Sequence, residues 1–580
     1  MAPSVNGPDL GANSREEAMA RHELSRRAML RFGLAGVGTL GLSGLLAACG
    51  SSGTGGTSTT GGGAGTSGAP AATETGSGAT NTAAVTSSSA TTGKPGGSIN
   101  LVRALDAVDF DKTMVFSNAS IWVYVNIWET LTIGSADGTK VEPWLAESWE
   151  QSDDKLTWTF HLKDGVTFSD GSPMTAADVK FTLDEASKTS GGWEFINAAI
   201  DTVTAPDDKT VVVKTKYPWA PLLADLACPS NGIIPNKYQG KTKEDFYKTP
   251  FGTGPFVWGN WDKGKSLTLK KNAKYWRKDA AGQQLPYLDS VTWTVVPDDN
   301  TRGLQMKGGQ AEIDENPPYS SLDQFKGDPA VDVVLFPSTR TDYIMMNEKR
   351  EYFADVNVRR AVSYAIDREG LNKTLLYGNG TPANSVLMPT VPFYDKNTPG
   401  QTYDMAKAKA ALAASKFPNG FTCTYSASSG DATDAAVAQV LQASLKELGI
   451  TMNITNVDPS ALHDAQNKLD YDISHSYWTM DIADPDELVQ FAVLPEGGGH
   501  SFETNYDSPE AQDLAKQAER EFDPAKRQEI YSKLQAVMAN DAFLAPLYYQ
   551  PLPYLVSKKV QGFLVKPTGL YDFGVVSLTA

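Results

Sequence analysis

Apolar and polar residues alternate with period two in short stretches of the chain: GSINLVRAL (97–105), LTWTFHLKDGVTFSDG (156–171), KTVVVKT (209–215), SVTWTVVPD (290–298), VDVVLFP (331–337) and TDYIMMN (341–347). That period predicts strands with one buried face. Apolar residues at three- and four-residue spacing predict helices over TAADVKFTLDEA (175–186), with Thr175 as N-cap, and over VRRAVSYAIDREGL (358–371) and MAKAKAALAASK (405–416). DAAVAQVLQASLKELG (434–449) and PAKRQEIYSKLQAVMAN (524–540) follow the same pattern. Strands with scattered helices come first, and helix–strand alternation follows. This order predicts an α/β protein of two lobes with discontinuous domains.

The string GNWDKGKS (259–266) fits the phosphate-binding loop pattern, with Gly259, Gly264, Lys265 and Ser266 in place. Its neighbours argue otherwise. A phosphate loop joins a strand to a helix whose N-terminus faces the phosphates. Here GPFVW precedes and SLTLKKN follows, both in strand period, so Asn260–Gly264 is expected to be a hairpin turn.

The N-terminal region follows a different logic. SRRAMLR (25–31) carries the pair Arg26–Arg27, and an apolar run with five glycines extends from Phe32 to Ala48. The run is shorter than the ~20 residues of a spanning helix and too glycine-rich to make a good one. It ends in Leu46-Ala47-Ala48-Cys49. These stretches resemble a twin-arginine export signal and a lipobox. They imply a signal peptide over 1–48, cleavage before Cys49 and lipid on its sulfur. Forty of the 44 residues from 50 to 93 are Gly, Ser, Thr or Ala. Such a stretch buries too little apolar surface to offset its ordering entropy, so 49–93 reads as a lipidated cysteine and flexible tether.

Composition narrows the classes. The 580 residues carry a formal charge of −17, which excludes nucleic acid and an anionic membrane surface as partners, since both require basic patches. Three cysteines provide no disulfide framework, and Cys228 and Cys423 read as small buried apolar residues. The five histidines form no H-E-x-x-H, and no G-x-S-x-G occurs. The chain is therefore read as no enzyme, without cofactor, catalytic residue or metal.

One segment, EPWLAESWEQSDDKLTWTFHLKDGVTFSDGSPMTAADVKFTL (142–183), resembles the signature of family 5 extracellular solute-binding proteins, the dipeptide and oligopeptide receptors of ABC importers. Further matches follow in the family's order, among them PFGTGPF (250–256), LPYLDSVTWTVVPDDNTR (285–302), FADVNVRRAVSYAIDRE (353–369) and WTMDIADPDE (478–487). The resemblance implies a class II periplasmic-binding-protein-like fold whose two lobes close about a hinge. Lobe I is expected from 94–134, 241–336 and 548–580, a smaller extra domain from 135–240, and lobe II from 337–547. It also implies a monomeric, exported receptor, lipid-anchored on the outer face of the cytoplasmic membrane. Its partners would be a peptide or other small solute and a membrane permease with a separate cytoplasmic ATPase.

The resemblance also implies a site. The acidic residue three positions after the tryptophan, here Asp481, pairs with the α-ammonium of a bound peptide. Trp478 would supply an apolar wall, and the backbone of Tyr477 would pair with an extended ligand as an added strand does. His475 stands where some oligopeptide receptors carry an arginine, and Arg340 is the candidate to replace it at the ligand carboxylate. Alternatives remain open at this level. Asp481, Asp484 and Asp486 could cap a helix or hold calcium. Trp122, Tyr124, Trp128 and Trp193 could stack on an oligosaccharide. An extracytoplasmic enzyme is the remaining, weaker reading.

Overall fold

The computed structural model describes residues 93–495 and 501–579. Arg26, Arg27, Cys49 and the tether expected up to residue 92 lie outside the described residues. Among those described, no helix is long and apolar enough to cross a membrane.

Two large sheets organise the chain. The first has seven strands, in the order Val331–Phe336, Leu552–Ser557, Ile313–Glu315, Ser98–Arg103, Ser290–Val295, Ser266–Lys271 and Phe256–Asp262. The second has six: Thr381–Pro382, Leu544–Tyr549, Arg340–Met346, Ile473–Thr479, Thr422–Ser428 and Thr451–Val457. A separate four-stranded antiparallel sheet, Ala146–Gln151, Thr157–Leu162, Thr210–Thr215 and Ile200–Thr204, has its own core around Trp158, Phe160, Val211 and Val213. The α/β expectation holds. Parallel pairing in the second sheet comes from a crossover in which the helix Ala432–Lys446 joins Thr422–Ser428 to Thr451–Val457.

The chain passes between the two large sheets twice. Strand Val331–Phe336 of the first is followed by Arg340–Met346 of the second, and Leu544–Tyr549 of the second by Leu552–Ser557 of the first. The return crossing thus falls at 550–551, between Tyr549 of the second sheet and Leu552 of the first. The run LAPLYYQPLPYLV is apolar on both sides of it, as doubly buried strands are, so periodicity gives no break there.

Several local expectations are met and others corrected. GNWDKGKS forms a hairpin, but its turn is Asp262–Lys265, with Lys265 N–H donating to the Asp262 carbonyl at 2.9 Å and Gly264 at φ 78°. Gly259 sits at a bulge, where a Cβ would collide with the carbonyl of Thr268. The single helix expected over 358–371 is two, Val356–Tyr364 and Arg368–Leu375. Asp367 starts the second by accepting from the Gly370 N–H at 2.9 Å. The alternation over 156–171 is broken at Asp164-Gly165, and beyond that break the strand-period residues form only an isolated bridge, Thr167 to Pro173.

Asp298, Asp355, Asp404, Asp431, Asp458 and Asp523 cap helices in the same way as Asp367, so much of the acidic excess is helix-starting chemistry. Both described cysteines are free and buried, Cys228 in the core of the first sheet and Cys423 in that of the second.

Candidate functional site

The strand Ile473–Thr479 pairs along its whole length with Arg340–Met346, from Ile473↔Met346 to Thr479↔Arg340. On its other side it meets Thr422–Ser428 only at Tyr425↔Ile473 and then diverges. From Ser474 onward that edge has no strand partner among the described residues. His475, Ser476, Tyr477 and Thr479 line a cleft of about 760 Å³, while Trp478 does not. The opposite wall of the cleft includes Arg103 and Glu315 of the first sheet and Trp122 of the helix Asn118–Tyr124.

At the floor, Arg340 is already engaged. Its guanidinium forks onto Asp342, Nε to Oδ2 at 2.9 Å and Nη2 to Oδ1 at 2.8 Å, and stands 3.6 Å over the Tyr477 ring. His475 Nε2 lies 3.3 Å from Asp342 Oδ1 without hydrogen-bond geometry. Burial pushes the Asp342 carboxyl upward, but Arg340 and His475 together outweigh it and hold it below its ordinary value. A ligand carboxylate at Arg340 would therefore share the guanidinium with a fixed internal anion.

Trp478 turns to the other face. Its Nε1 donates to Glu487 Oε1 at 3.0 Å, and its ring stacks on Phe491 at 4.8 Å. It lines neither the cleft nor the cavity described below, its side chain being held by Glu487 and Phe491. The expected apolar wall is thus a support. Glu487, which the sequence reading did not single out, accepts from the backbone N–H groups of Asp481 at 2.8 Å and Ile482 at 3.1 Å. One buried carboxylate thereby fixes both the tryptophan and the turn carrying Asp481. Its position, in the first turn of the helix Asp486–Val493, was the available signal.

The other acidic residues of that turn make local bonds, although Asp486 Oδ1, like Asp481 Oδ1, is buried without a hydrogen-bond partner. Asp484 receives Arg527 through two bonds, at 2.5 and 2.9 Å, and accepts the Asp486 N–H at 3.0 Å. Asp486 Oδ2 accepts from Gln490 at 2.5 Å. Calcium coordination is therefore corrected to a buried ion pair, and among the described residues no group of three or more His, Cys, Asp or Glu is placed to hold a metal.

Asp481 is 5% exposed, its Oδ1 is buried without a hydrogen-bond partner, and burial pushes its carboxyl up to about 7. It lines a second cavity, with about 80 Å³ of room for water centres, together with Trp128, Ile133, Ile482 and Leu570. Of the four aromatics considered for sugar stacking, Trp122 lines the cleft and Trp128 this cavity. Trp193 is buried, donating to the Val115 carbonyl at 2.9 Å, and Tyr124 is buried in the same core.

The family model of bacterial extracellular solute-binding proteins, family 5, matches residues 140–500, more than half of the chain. The chain is 30% identical over 443 residues to the glutathione-binding protein GsiB of Escherichia coli O1:K1 / APEC, covering 75% of this chain and 85% of that one. Its fold is similar to that of the periplasmic binding protein DppA of Helicobacter pylori in complex with the peptide STSA, with TM-score 0.73 and 28% identity over 84% of this chain and 99% of the other. It is also similar to the binding protein AgaA of A. tumefaciens R10 in complex with agropinic acid, with TM-score 0.73 and 26% identity over 83% and 99% of the two chains. The chain belongs to family 5 of the bacterial extracellular solute-binding proteins, and the two-lobe fold is that of its structural neighbours.

Proposed function

We propose that this chain is the peptide receptor of an ABC importer, closing its two lobes on an extended peptide and delivering it to a membrane permease. The observation that carries the reading is Asp481: a buried carboxylate oxygen without a partner, two residues beyond the end of an open strand edge. Leaving an anion so placed is unfavourable unless a cation completes it, and the α-ammonium of a peptide is a cation carried at the end of an extended backbone. The free edge from Ser474 to Thr479 supplies backbone groups for that ligand by strand addition. The crossings at 337–339 and 550–551 are the natural hinge, lobe I and the 135–240 domain lying on one side and lobe II on the other. The chain acts outside the cytoplasmic membrane as a monomer held by lipid on Cys49, after export through the Arg26–Arg27 signal, and performs no chemistry on its ligand.

Thermal melts with di- to hexapeptides and their N-acetylated forms test the reading. A ligand at 100 times its dissociation constant adds ~2.7 kcal/mol, and only free-amine peptides are expected to do so. A second reading, capture of a small non-peptide solute, is favoured by the Trp122 face on the cleft and by the similar protein that holds agropinic acid. Stabilisation by such solutes and not by peptides would replace the first reading with this one.

A further inference from the structure

We propose that the receptor selects peptides by their first residue, seating an apolar side chain of about leucine or phenylalanine size in the cavity beneath Asp481. The inference rests on the peptide reading above. If the α-ammonium meets Asp481, the side chain of that same residue branches one bond away, so the cavity beside Asp481 belongs to it.

The chemistry of the wall decides what fits. Four charged residues line the cavity: Glu129, Asp481, Lys566 and Asp572. Glu129 Oε1 accepts from Trp144 Nε1 and Tyr275 Oη, each at 2.9 Å, and its Oε2 from Thr253 Oγ1 at 2.8 Å and Trp276 Nε1 at 2.9 Å. A carboxylate has about four acceptor sites, so none is left for a ligand. Lys566 Nζ donates to the Gly134 carbonyl at 2.6 Å with Asp572 and Glu142 nearby, and Asp572 receives Arg277 at 2.8 Å and the Gly574 N–H at 2.6 Å. Only Asp481 retains an unpartnered oxygen. Thr130, Ser135, Thr568 and Tyr571 also line it, with the Thr130, Ser135 and Tyr571 hydroxyls donating to the Thr132 carbonyl, Asp137 and Glu315, and much of the remaining wall, including Val125, Ile133, Ile482 and Leu570, offers nothing to a polar group stripped of water.

Size and rigidity point the same way. The 80 Å³ open to water centres is several times the ~10–15 Å³ that one water needs, which suits a mid-sized side chain. The walls are fixed, since Trp128 Nε1 donates to the Phe251 carbonyl at 3.0 Å and Trp144 is held by Glu129. A fixed apolar pocket discriminates by fit, at roughly tenfold or more between side chains that fill it and those that do not.

The test is calorimetric titration of the purified protein with tripeptides X-Ala-Ala, X being Leu, Phe, Gly, Glu or Lys, and with acetyl-Leu-Ala-Ala. Leu- and Phe-first peptides are expected to bind at least ~10-fold tighter than the Gly-, Glu- and Lys-first peptides. Acetylation is expected to abolish binding. Ala483→Phe, which fills the cavity, should erase the Leu-over-Gly preference while keeping Gly-Ala-Ala affinity, and that retained affinity reports a folded variant. Should it fail to fold, Leu570→Ala, which enlarges the cavity, should shift the preference from Leu towards Phe. Equal affinity for all free-amine peptides would overturn the pocket and leave the peptide receptor standing. Preference for the Glu-first peptide would overturn it in favour of Lys566 as a carboxylate partner. Failure of every tripeptide to bind would overturn the receptor reading itself.

Discussion

Glu487 holds Trp478 and Asp481 at once, accepting the indole N–H on one oxygen at 3.0 Å and the Asp481 N–H on the other at 2.8 Å. The strand end and the turn beyond it are therefore one unit, and Glu487 is a positioning residue for Asp481. Glu487→Gln keeps one acceptor oxygen but turns an amide N–H₂ towards a donor. A buried donor left unsatisfied costs about 1–3 kcal/mol. We expect a lower melting temperature together with weaker peptide binding. A variant that loses binding at unchanged stability would place Glu487 on the ligand instead.

Asp481→Asn should behave in the opposite way. Its carboxylate is buried with Oδ1 unpartnered, so neutralising it removes a desolvation cost from the empty protein. At pH 8 the variant should melt no lower than the parent, and higher where no other group compensates. Its affinity for free-amine peptides should fall by about 10- to 150-fold, the equivalent of losing a charge-assisted bond of about 1.5–3 kcal/mol. Unchanged affinity would remove Asp481 from the site.

Arg527 and Asp484 form a buried bidentate pair beside that turn. Arg527 also stands 4.9 Å over the Phe393 ring and 5.3 Å over Tyr531, so its loss removes packing as well as charge. Arg527→Leu should destabilise by about 3–5 kcal/mol in urea unfolding, because Asp484 is left buried without its cation. Removing both charges in Asp484→Leu with Arg527→Leu should recover part of that loss. A double variant no better than the single one would mean that the packing, not the stranded charge, carries the effect.

These relationships mark the limit of what the chain discloses by itself. The hairpin at 262–265 was legible because strand period flanks a short Gly-bearing turn, and period two on 473–479 correctly separates Trp478 from His475 and Tyr477 once the cleft side is known. The side could not be known, since both faces of that strand carry aromatic and polar residues. Arg340 and Asp342 lie two apart on one strand, so their pairing was open to reading, and it demotes Arg340 as a free cation. Asp481 was found by its distance from Trp478. That Glu129, Lys566 and Asp572 leave it without a partner depends largely on groups more than a hundred positions from them, Thr253, Tyr275 and Trp276 for Glu129, Gly134 for Lys566 and Arg277 for Asp572, and no local pattern records that. Gly252 and Gly254 show the same limit. They admit the backbone of Ile127, whose carbonyl a Cβ on Gly252 would strike.

Carboxylates that share one cation set the pH dependence. Asp225, on the short helix Leu222–Asp225 of the 135–240 segment, and Asp486 each bury an unpartnered Oδ1. Around them stand Asp484, Arg527, Tyr531 and Glu519, so the Arg527 cation faces several acids. Burial first, and then the neighbouring carboxylates, push Asp225 upward and Asp486 up to about 7. A carboxyl raised in the folded state binds its proton more tightly there than in the unfolded chain, where it titrates near 3.9. The stability it contributes is present below about pH 4 and is lost as pH rises towards 7, at up to about 1.4 kcal/mol per pH unit per group. Asp342 works in the other direction, contributing above its unfolded value and failing in acid. The melting temperature of the unliganded protein should therefore be higher at pH 5 than at pH 8. Asp225→Asn, which fixes one site neutral while keeping an acceptor for Trp219 Nε1, should raise the pH 8 value and flatten the slope between pH 5 and 8. A melting temperature that stays level or rises over that range in the parent would show that these acids are ionised and matched in the folded protein.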